Sequence, residues 1–412
     1  MTRNTSYPES VKAGKPILHS LPNGWEQKTL DNYLNLESRK VNLLNDQEYD
    51  LVTVKRSRGG VVRREHLLGR NISVKTQFYI KEGDFLISKR QIVHGACGIV
   101  PKELDGSIVS NEYSVFTAKE NFYLPYLEYL SETLYFQQVC FHSSIGVHIE
   151  KMIFKLETWF KWSFNIPPLA EQKKIAQILS TWDQAILATE KLLKNSQQQK
   201  KALIQQLLTG KKRLLDENGV RFSGAWKEYP LGNLGNTFTG LTGKTKEDFG
   251  SGVPYITYMN IFKNNRIDIN QVDYVIVKED ENQNSVRYGD IFFTTSSETA
   301  EEVGMSSVLL EEVERLYLNS FCFGFRLNNF KVLLPQFAAF ILRSSNIRKQ
   351  ISILGQGATR YNLSKNQLMK LILKLPTIAE QKKIAEVLTL SDQEIETLQK
   401  KLDCLQQEKK AL

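Results

Sequence analysis

The sequence predicts a mixed α/β protein built twice over: two α/β domains, each followed by a long helix. The two helices pack as an antiparallel coiled coil about an approximate two-fold axis. Three observations carry that prediction. The segment "AEQKKIA" is written at Ala170–Ala176 and again at Ala379–Ala385. The residues after each copy keep apolar side chains at alternating spacings of four and three. The remaining stretches alternate short β-branched and aromatic runs with turn residues, as strands mixed with a few helices do.

The first domain is read over residues 1–164. Its opening, "MTRNTSYPESVKAGKPILHS", has no apolar core of signal-peptide type, so export is not expected. Runs such as "EYDLVTVKR", "TQFYI" and "GDFLIS" read as strands. "LVTVKRSRGGVVRREHL" reads as a hairpin whose strands flank Gly59 and Gly60 and present Lys55, Arg56, Arg58, Arg63 and Arg64. A glycine turn lets the backbone approach a phosphate, and an arginine fork can grip phosphate or pair with guanine O6 and N7. The same charges also suit a solvated hairpin that they merely keep soluble. Lys89 and Arg90 in "SKRQ", just after a strand, carry the same two readings.

The first long helix is read over residues 165–214. "NIPPLAEQKKIAQILSTWDQAI" matches "KLPTIAEQKKIAEVLTLSDQEI" at a constant offset of 209 residues, from Glu171 to Glu380. "QQQKKAL" at Gln197–Leu203 recurs as "QQEKKAL" at Gln406–Leu412 in the same register, which marks a duplicated helix. Each copy leaves a proline-marked loop and then loses all Pro and Gly, the signature of a helix start. Its seam runs Ile175, Leu179, Trp182, Ile186, Leu193, Leu203 and Leu207, with Thr189, Ser196 and Lys200 at the intervening positions. At 1.5 Å per residue the stretch from Glu171 to Leu208 makes a rod of about 57 Å, too long to hide in one small domain. It should therefore pair with its repeat, which has Leu398 and Leu405 where the first seam has Thr189 and Ser196, and Ser391 where it has Trp182. Ile178, Ala185 and Leu192 widen the apolar face, which suits either a partner's helix or burial against the adjacent domain.

The second domain, residues 215–373, echoes the first faintly. "GAWKEYPL" resembles "NGWEQKTL", "GDIFFT" resembles "GDFLIS", and "VPYITY" and "FCFGFRL" read as strands. Its polar motifs use hydroxyls and amides: "TGKTK" with Lys244 and Lys246, "TYMN" with Tyr258 and Asn260, "TTSSET" with Thr294, Thr295 and Ser296, and "GQGATRYN" with Arg360, Tyr361 and Asn362. Such groups contact phosphates or base edges, Asn260 and Asn362 suiting adenine and Arg360 guanine or a phosphate. Ordinary turns use the same residue types.

The second long helix is read over residues 374–412, with Ile384, Leu388, Ile395, Leu398, Leu402, Leu405 and Leu412 on the seam and Ser391 and Lys409 as its polar positions. The first copy continues with "IQQLLTGKKRL" whereas the second stops at Leu412, so the second helix is expected to lack its final turns. Antiparallel packing would relate the two domains by an approximate two-fold axis. A duplex backbone has that symmetry, and two-fold proteins dock on half-sites roughly 34 Å apart.

Composition narrows the function classes. The 412 residues carry 54 Lys and Arg against 45 Asp and Glu, a net charge of +9 that favours a polyanionic partner. The most apolar run, Val332–Leu342, is too short to span a bilayer and contains Pro335 and Gln336. Cys97, Cys140, Cys322 and Cys404 form no C-x-x-C pair and read as buried thiols in a reducing cytoplasm, and "CFH" at Cys140–His142 could hold a metal only with distant ligands. His19, His66, His94, His142 and His148 form no pair four apart. "FTGLTGKT" fails as a phosphate loop because Phe238 stands where the first glycine belongs. "NIPP" at Asn165–Pro168 is similar to a methyltransferase "NPPF", but Ile166 interrupts it and no aromatic follows.

The pattern resembles the specificity subunit of type I restriction-modification enzymes over essentially the whole chain. It is carried by "PPLAEQKKIA", "LPTIAEQKKIA", "LTGKKRL" at Leu208–Leu214, and the domain entrances at Trp25 and Trp226. The resemblance implies two target recognition domains that read separate halves of an interrupted sequence in double-stranded DNA. It implies helices that set the spacer and dock two methyltransferase subunits, with restriction subunits joining the complex. It also implies a non-catalytic, cytoplasmic chain with no membrane contact and no cofactor of its own, S-adenosylmethionine, ATP and Mg belonging to partner subunits. The rival readings are an enzyme that modifies DNA itself and a coiled-coil protein scaffold.

Overall fold

The structure, a computed structural model, describes residues 14–357 and 360–411. The start of the opening stretch read for an export signal, Ala358 and Thr359 of "GQGATRYN", and Leu412 of the second seam lie outside the described residues. The chain divides into two units, the first ending at Ala185 and including Ala411, the second running Ile186–Lys410.

In the first unit a short ladder joins the two ends of the domain: Glu26–Thr29 runs antiparallel to Ser163–Ile166. A four-stranded antiparallel sheet has the order Leu34–Glu37, Tyr113–Ala118, Phe85–Ser88, Cys97–Ile99. Its central strand Phe85–Ser88 is buried along its whole length. Phe116, Phe136, Phe154 and Phe160 surround a fully buried Trp159, with ring centroids 5.9, 5.8, 5.6 and 5.2 Å from it. A second four-stranded sheet has the order Val61–Leu68, Glu48–Val54, Ile108–Ser110, Gln77–Tyr79, and the edge strand Val61–Leu68 with its neighbour Glu48–Val54 forms the basic hairpin.

The second unit repeats the plan. Lys227–Pro230 pairs with Ile372–Leu375 in the same kind of closing ladder. The four-stranded sheet Gly235–Thr239, Cys322–Leu327, Ile291–Thr294, Ser306–Val308 again has a fully buried central strand, Ile291–Thr294. Gly324 lies under the Phe238 ring, where a Cβ would sit 2.0 Å away, so a larger residue would have to displace that ring. Two three-stranded sheets complete the domain, one of Val272–Val275, Phe249–Ile256 and Tyr317–Leu318, the other of Ser296–Ser297, Tyr361–Leu363 and Gly355–Gln356.

The "GD" echo has a structural cause. Asp84 and Asp290 are both buried, and each accepts the backbone N–H three residues earlier, from Lys81 and Arg287. Each is gripped bidentately by an arginine of its own domain, Asp84 by Arg39 at 2.5 and 3.1 Å and Asp290 by Arg326 at 2.8 and 2.6 Å. A fully desolvated carboxylate needs that many donors.

The duplicated "AEQ" has one too. The long helices span Leu169–Leu207 and Ile378–Ala411. Near the start of the first, Gln172 accepts from Tyr123 N–H at 2.8 Å and donates to the carbonyls of Asn121 and Pro167. Near the start of the second, Gln381 accepts from Leu334 N–H at 3.0 Å and donates to Val332 and Pro376. Each glutamine is buried and fastens a domain loop to its helix. The preceding glutamates diverge: Glu171 accepts from Trp25 Nε1 at 3.2 Å, whereas Glu380, buried, is forked by Arg213 at 2.5 and 2.6 Å.

Within the second unit the two long helices run antiparallel side by side. Ser196 donates to Glu394 at 3.1 Å, Lys200 pairs with Asp392, and Arg213 with Glu380, so residue numbers fall on one helix as they rise on the other. Leu193, Leu207, Ile384, Leu388 and Leu402 are buried on the seam, and Ile186, Ile395 and Leu398 are half-buried. In the first unit Ile175, Leu179 and Trp182 are half-buried. The hydroxyl positions differ from expectation: Ser196 lies level with Glu394 and not with its repeat counterpart Leu405, because antiparallel packing places unlike positions of the repeat opposite each other. No helix among the described residues is long and apolar enough to cross a membrane.

Candidate nucleic-acid interface

The basic hairpin differs from expectation at its tip. The left-handed residues are Ser57 and Arg58, both at φ 54°, together with Gly60, while Gly59 is not left-handed. Two consecutive non-glycine residues there are strained, and such strain persists only where surrounding contacts hold it. Here Ser57 N–H donates to His94 O at 2.7 Å and Arg58 N–H to Gly95 O at 2.9 Å, while Arg58 Nε donates to Ser131 O at 3.0 Å. The tip is thus docked on its own domain. Arg58 is turned inward, which corrects its reading as a DNA contact, and the Gly59–Gly60 backbone is not the sharp point of the turn.

The other cations of the hairpin face outward. Lys55 is exposed, and Arg63 and Arg64 are half exposed, with Arg63 2.9 Å from Asp50 and Arg64 3.6 Å from Glu65. A bulge in the ladder sets Leu51 opposite Glu65 and Val52 opposite Arg63, leaving Arg64 as the extra residue. A bulge re-aims side chains, which is how two successive arginines both reach solvent. Arg56 pairs with Glu150 and donates Nε to Gln91 at 2.7 Å, and the Arg56 guanidinium holds the Glu150 carboxyl below its usual range. Lys89 donates to Asn111 O at 2.7 Å, and Arg90 grips Glu112. His66, between Asp50 and Glu48 at 2.6 and 3.2 Å, has its pKa raised by those two carboxylates, Asp50 first.

In the second unit three predicted motifs converge and the fourth does not. Ser296 pairs with Asn362, and Ser297 with Tyr361, across the Ser296–Ser297 and Tyr361–Leu363 strands. Tyr258 OH donates to Ser296 O at 2.9 Å, and Thr295 Oγ1 donates to Phe321 O at 2.6 Å. Asn362 and Arg360 are exposed at this surface. Phe321, 67% exposed, stands beside Thr295 and was missed, because in "FCFGFRL" it reads as one more inward strand residue.

Three residues read as DNA contacts are structural instead. Asn260 is buried, its amide donating to Asp268 O and Gln271 O, both at 2.8 Å, and its carbonyl accepting from Asp268 N–H and Asn264, so nothing is left for an adenine. Thr294 is buried and its hydroxyl accepts from Met305 N–H at 3.0 Å. Lys244 is almost fully buried and donates to Ile276 O and to Glu281, both at 2.6 Å, away from the converging motifs; Lys246 is exposed.

Lys244 and its companion Gln283 lower the Glu281 pKa to about 2. A depressed carboxyl contributes stability that is present above its unfolded value of about 4.3 and lost as pH falls through about 2. Replacing Glu281 with glutamine should therefore lower the thermal midpoint at neutral pH, with the deficit closing as pH approaches about 2. A deficit independent of pH would contradict the pairing.

The same arrangement recurs in both units: a closing ladder, a four-stranded sheet with a buried "GD" strand, and a glutamine fastening the long helix. Comparison with known proteins places this repeat in a family. The profile of the family described as "Type I restriction modification DNA specificity domain" matches twice, over residues 22–197 and 224–407. The chain belongs to that family. A specificity-domain relative, the type I restriction enzyme MjaVIII specificity subunit of Methanocaldococcus jannaschii, is 23% identical over 96% of this chain and 93% of its own. The HsdS subunit from Thermoanaerobacter tengcongensis has a similar fold at a TM-score of 0.51 and 16% identity, covering 95% of this chain and 96% of its own. The type I restriction-modification S subunit from M. genitalium matches at a TM-score of 0.54 and 13% identity, with 95% and 96% covered. Two specificity domains in tandem, each match running well into its long helix, account for the internal repeat. Among the described residues no group of three or more His, Cys, Asp or Glu could hold a metal ion.

Proposed function

We propose that this chain is the DNA-recognition subunit of a type I restriction-modification complex, reading a bipartite, asymmetric target in double-stranded DNA. The observation that carries the reading is the family profile matching both halves of the chain, each half holding a different outward chemistry. The first domain presents guanidinium groups; the second presents Thr295, Ser296, Arg360 and Asn362 beside Phe321. Unlike surfaces read unlike half-sites. Phosphate contacts fix register, and base edges supply sequence.

In this reading the chain is not an enzyme. Two methyltransferase subunits and the restriction subunits supply S-adenosylmethionine, ATP and Mg chemistry, and the assembly works in the cytoplasm. Ile178 and Leu192, both exposed on the first long helix, support a docking role for that face. The test is direct. The purified full chain should bind duplex DNA with strong salt dependence, lose affinity when Arg63 and Arg64 are changed to alanine, and neither bind S-adenosylmethionine nor modify DNA. Modification by the chain alone would favour the enzyme, and weak DNA binding indifferent to Arg63 and Arg64 would favour the scaffold.

A further inference from the structure

Each arginine of the first domain that faces solvent on the hairpin or the "SKRQ" turn is already engaged by a carboxylate. Two of these pairs are forks that join separate parts of the domain: Arg56 with Glu150 at 2.5 and 3.4 Å, and Arg90 with Glu112 at 2.6 and 3.3 Å. Both pairs are held by further contacts. Arg56 donates to Gln91, and His94 Nε2 stands 3.1 Å from the same Glu150, while the neighbouring Lys89 is tied to Asn111 O beside Glu112.

Exposed pairs of this kind add about 0–1 kcal/mol to stability, so folding alone gives little reason for them. Their effect on a polyanion is larger. Non-specific DNA binding rests almost wholly on phosphate charge. A guanidinium whose charge is matched by a fixed carboxylate offers little to a phosphate, and the carboxylate repels it. A G·C base pair differs: guanine presents O6 and N7 acceptors to the arginine fork, and cytosine N4 presents a donor that a carboxylate accepts. An arginine beside a carboxylate is complementary to both edges of that base pair at once.

Resting on the DNA-recognition reading above, we propose that Arg90–Glu112 is a specificity-determining pair: Glu112 takes Arg90 by Nε and one Nη, leaving the other end of the guanidinium for guanine. It reads a G·C base pair in the half-site of the first domain, and both pairs suppress binding to phosphate alone; Arg56, whose Nε and both Nη groups are engaged by Gln91 and Glu150, keeps no fork for a base. The Glu112 carboxylate is as much a part of recognition as the arginine.

The experiment selects bound duplexes from a random-sequence pool with the full chain, and measures affinity for random-sequence duplex as a function of salt. The unaltered chain should enrich a first half-site containing a G·C pair. Glu112→Gln should relax that position, raise random-duplex affinity several-fold, and steepen the slope of log K against log salt by about one unit, as one freed cation does. Arg90→Ala should relax the same position without raising random-duplex affinity. Glu150→Gln should raise random-duplex affinity and steepen the salt slope without moving a base preference, and unchanged melting curves show that the folds are intact. Base preference unchanged in Glu112→Gln, or salt slope unchanged in both glutamine variants, would overturn the proposal and leave the recognition reading standing. An unaltered chain that enriches no sequence would overturn both.

Discussion

Replacing Gln381 with leucine is expected to lower the unfolding free energy of the second unit by about 3–5 kcal/mol, the sum of several groups left without partners at roughly 1–3 kcal/mol each. Leucine fills nearly the same volume, so the loss measures polar satisfaction and not packing. The orphaned groups are Leu334 N–H and the carbonyls of Val332 and Pro376, all at the junction between the domain and its helix. Gln172→Leu should act the same way on Tyr123, Asn121 and Pro167 in the first unit. Urea unfolding of the two single variants checks this, and a loss under about 1 kcal/mol in either would remove the glutamine as the reason "AEQ" is written twice.

Adding one heptad to both long helices is expected to change the number of unspecified bases between the half-sites while leaving the half-sites themselves alone. The antiparallel register dictates where. Gln197–Gln199 lie level with residues 392–394, as the Ser196–Glu394 and Lys200–Asp392 contacts establish, so the insertions belong at those facing levels. Insertion at Gln197–Gln199 and at Gln406–Glu408, which the repeat alone suggests, would leave seam residues between the two points out of step. Each heptad adds about 10 Å of rod. A heptad in one helix only should separate Arg213 from Glu380 or Lys200 from Asp392 and abolish sequence-selective binding. Mapping methylated sites in cells that carry each variant with its methyltransferase gives the answer; altered half-sites with a constant spacer would refute the helices as a ruler.

The parts of this fold that were legible in the sequence are those written as periodicity or repetition. The long helices, their seam and the echo of "GDFLIS" in "GDIFFT" follow from spacing alone, because a heptad or a buried strand leaves its period in the residue types. The candidate site was legible only in part. Arg63 and Arg64 reach solvent as expected, but Asn260, Thr294 and Lys244 do not, since a residue type does not record whether its donors are consumed inside the fold. Arg58 turns inward because the hairpin tip is fixed by His94 and Gly95, thirty-odd residues away in the chain. The carboxylates Glu112 and Glu150 passed unnoticed for the same reason: their arginine partners are distant in sequence.

The closing ladders have a consequence for change over time. Because Glu26–Thr29 lies against Ser163–Ile166, and Lys227–Pro230 against Ile372–Leu375, the chain enters and leaves each domain through one doorway. Everything between the two sides of that doorway is a cassette, and exchanging it for another requires that the frame strands stay in register and that the loop groups held by Gln172 and Gln381 be kept. On the DNA-recognition reading proposed above, a crossover at each jamb would give a lineage's complex a new address with the helices untouched.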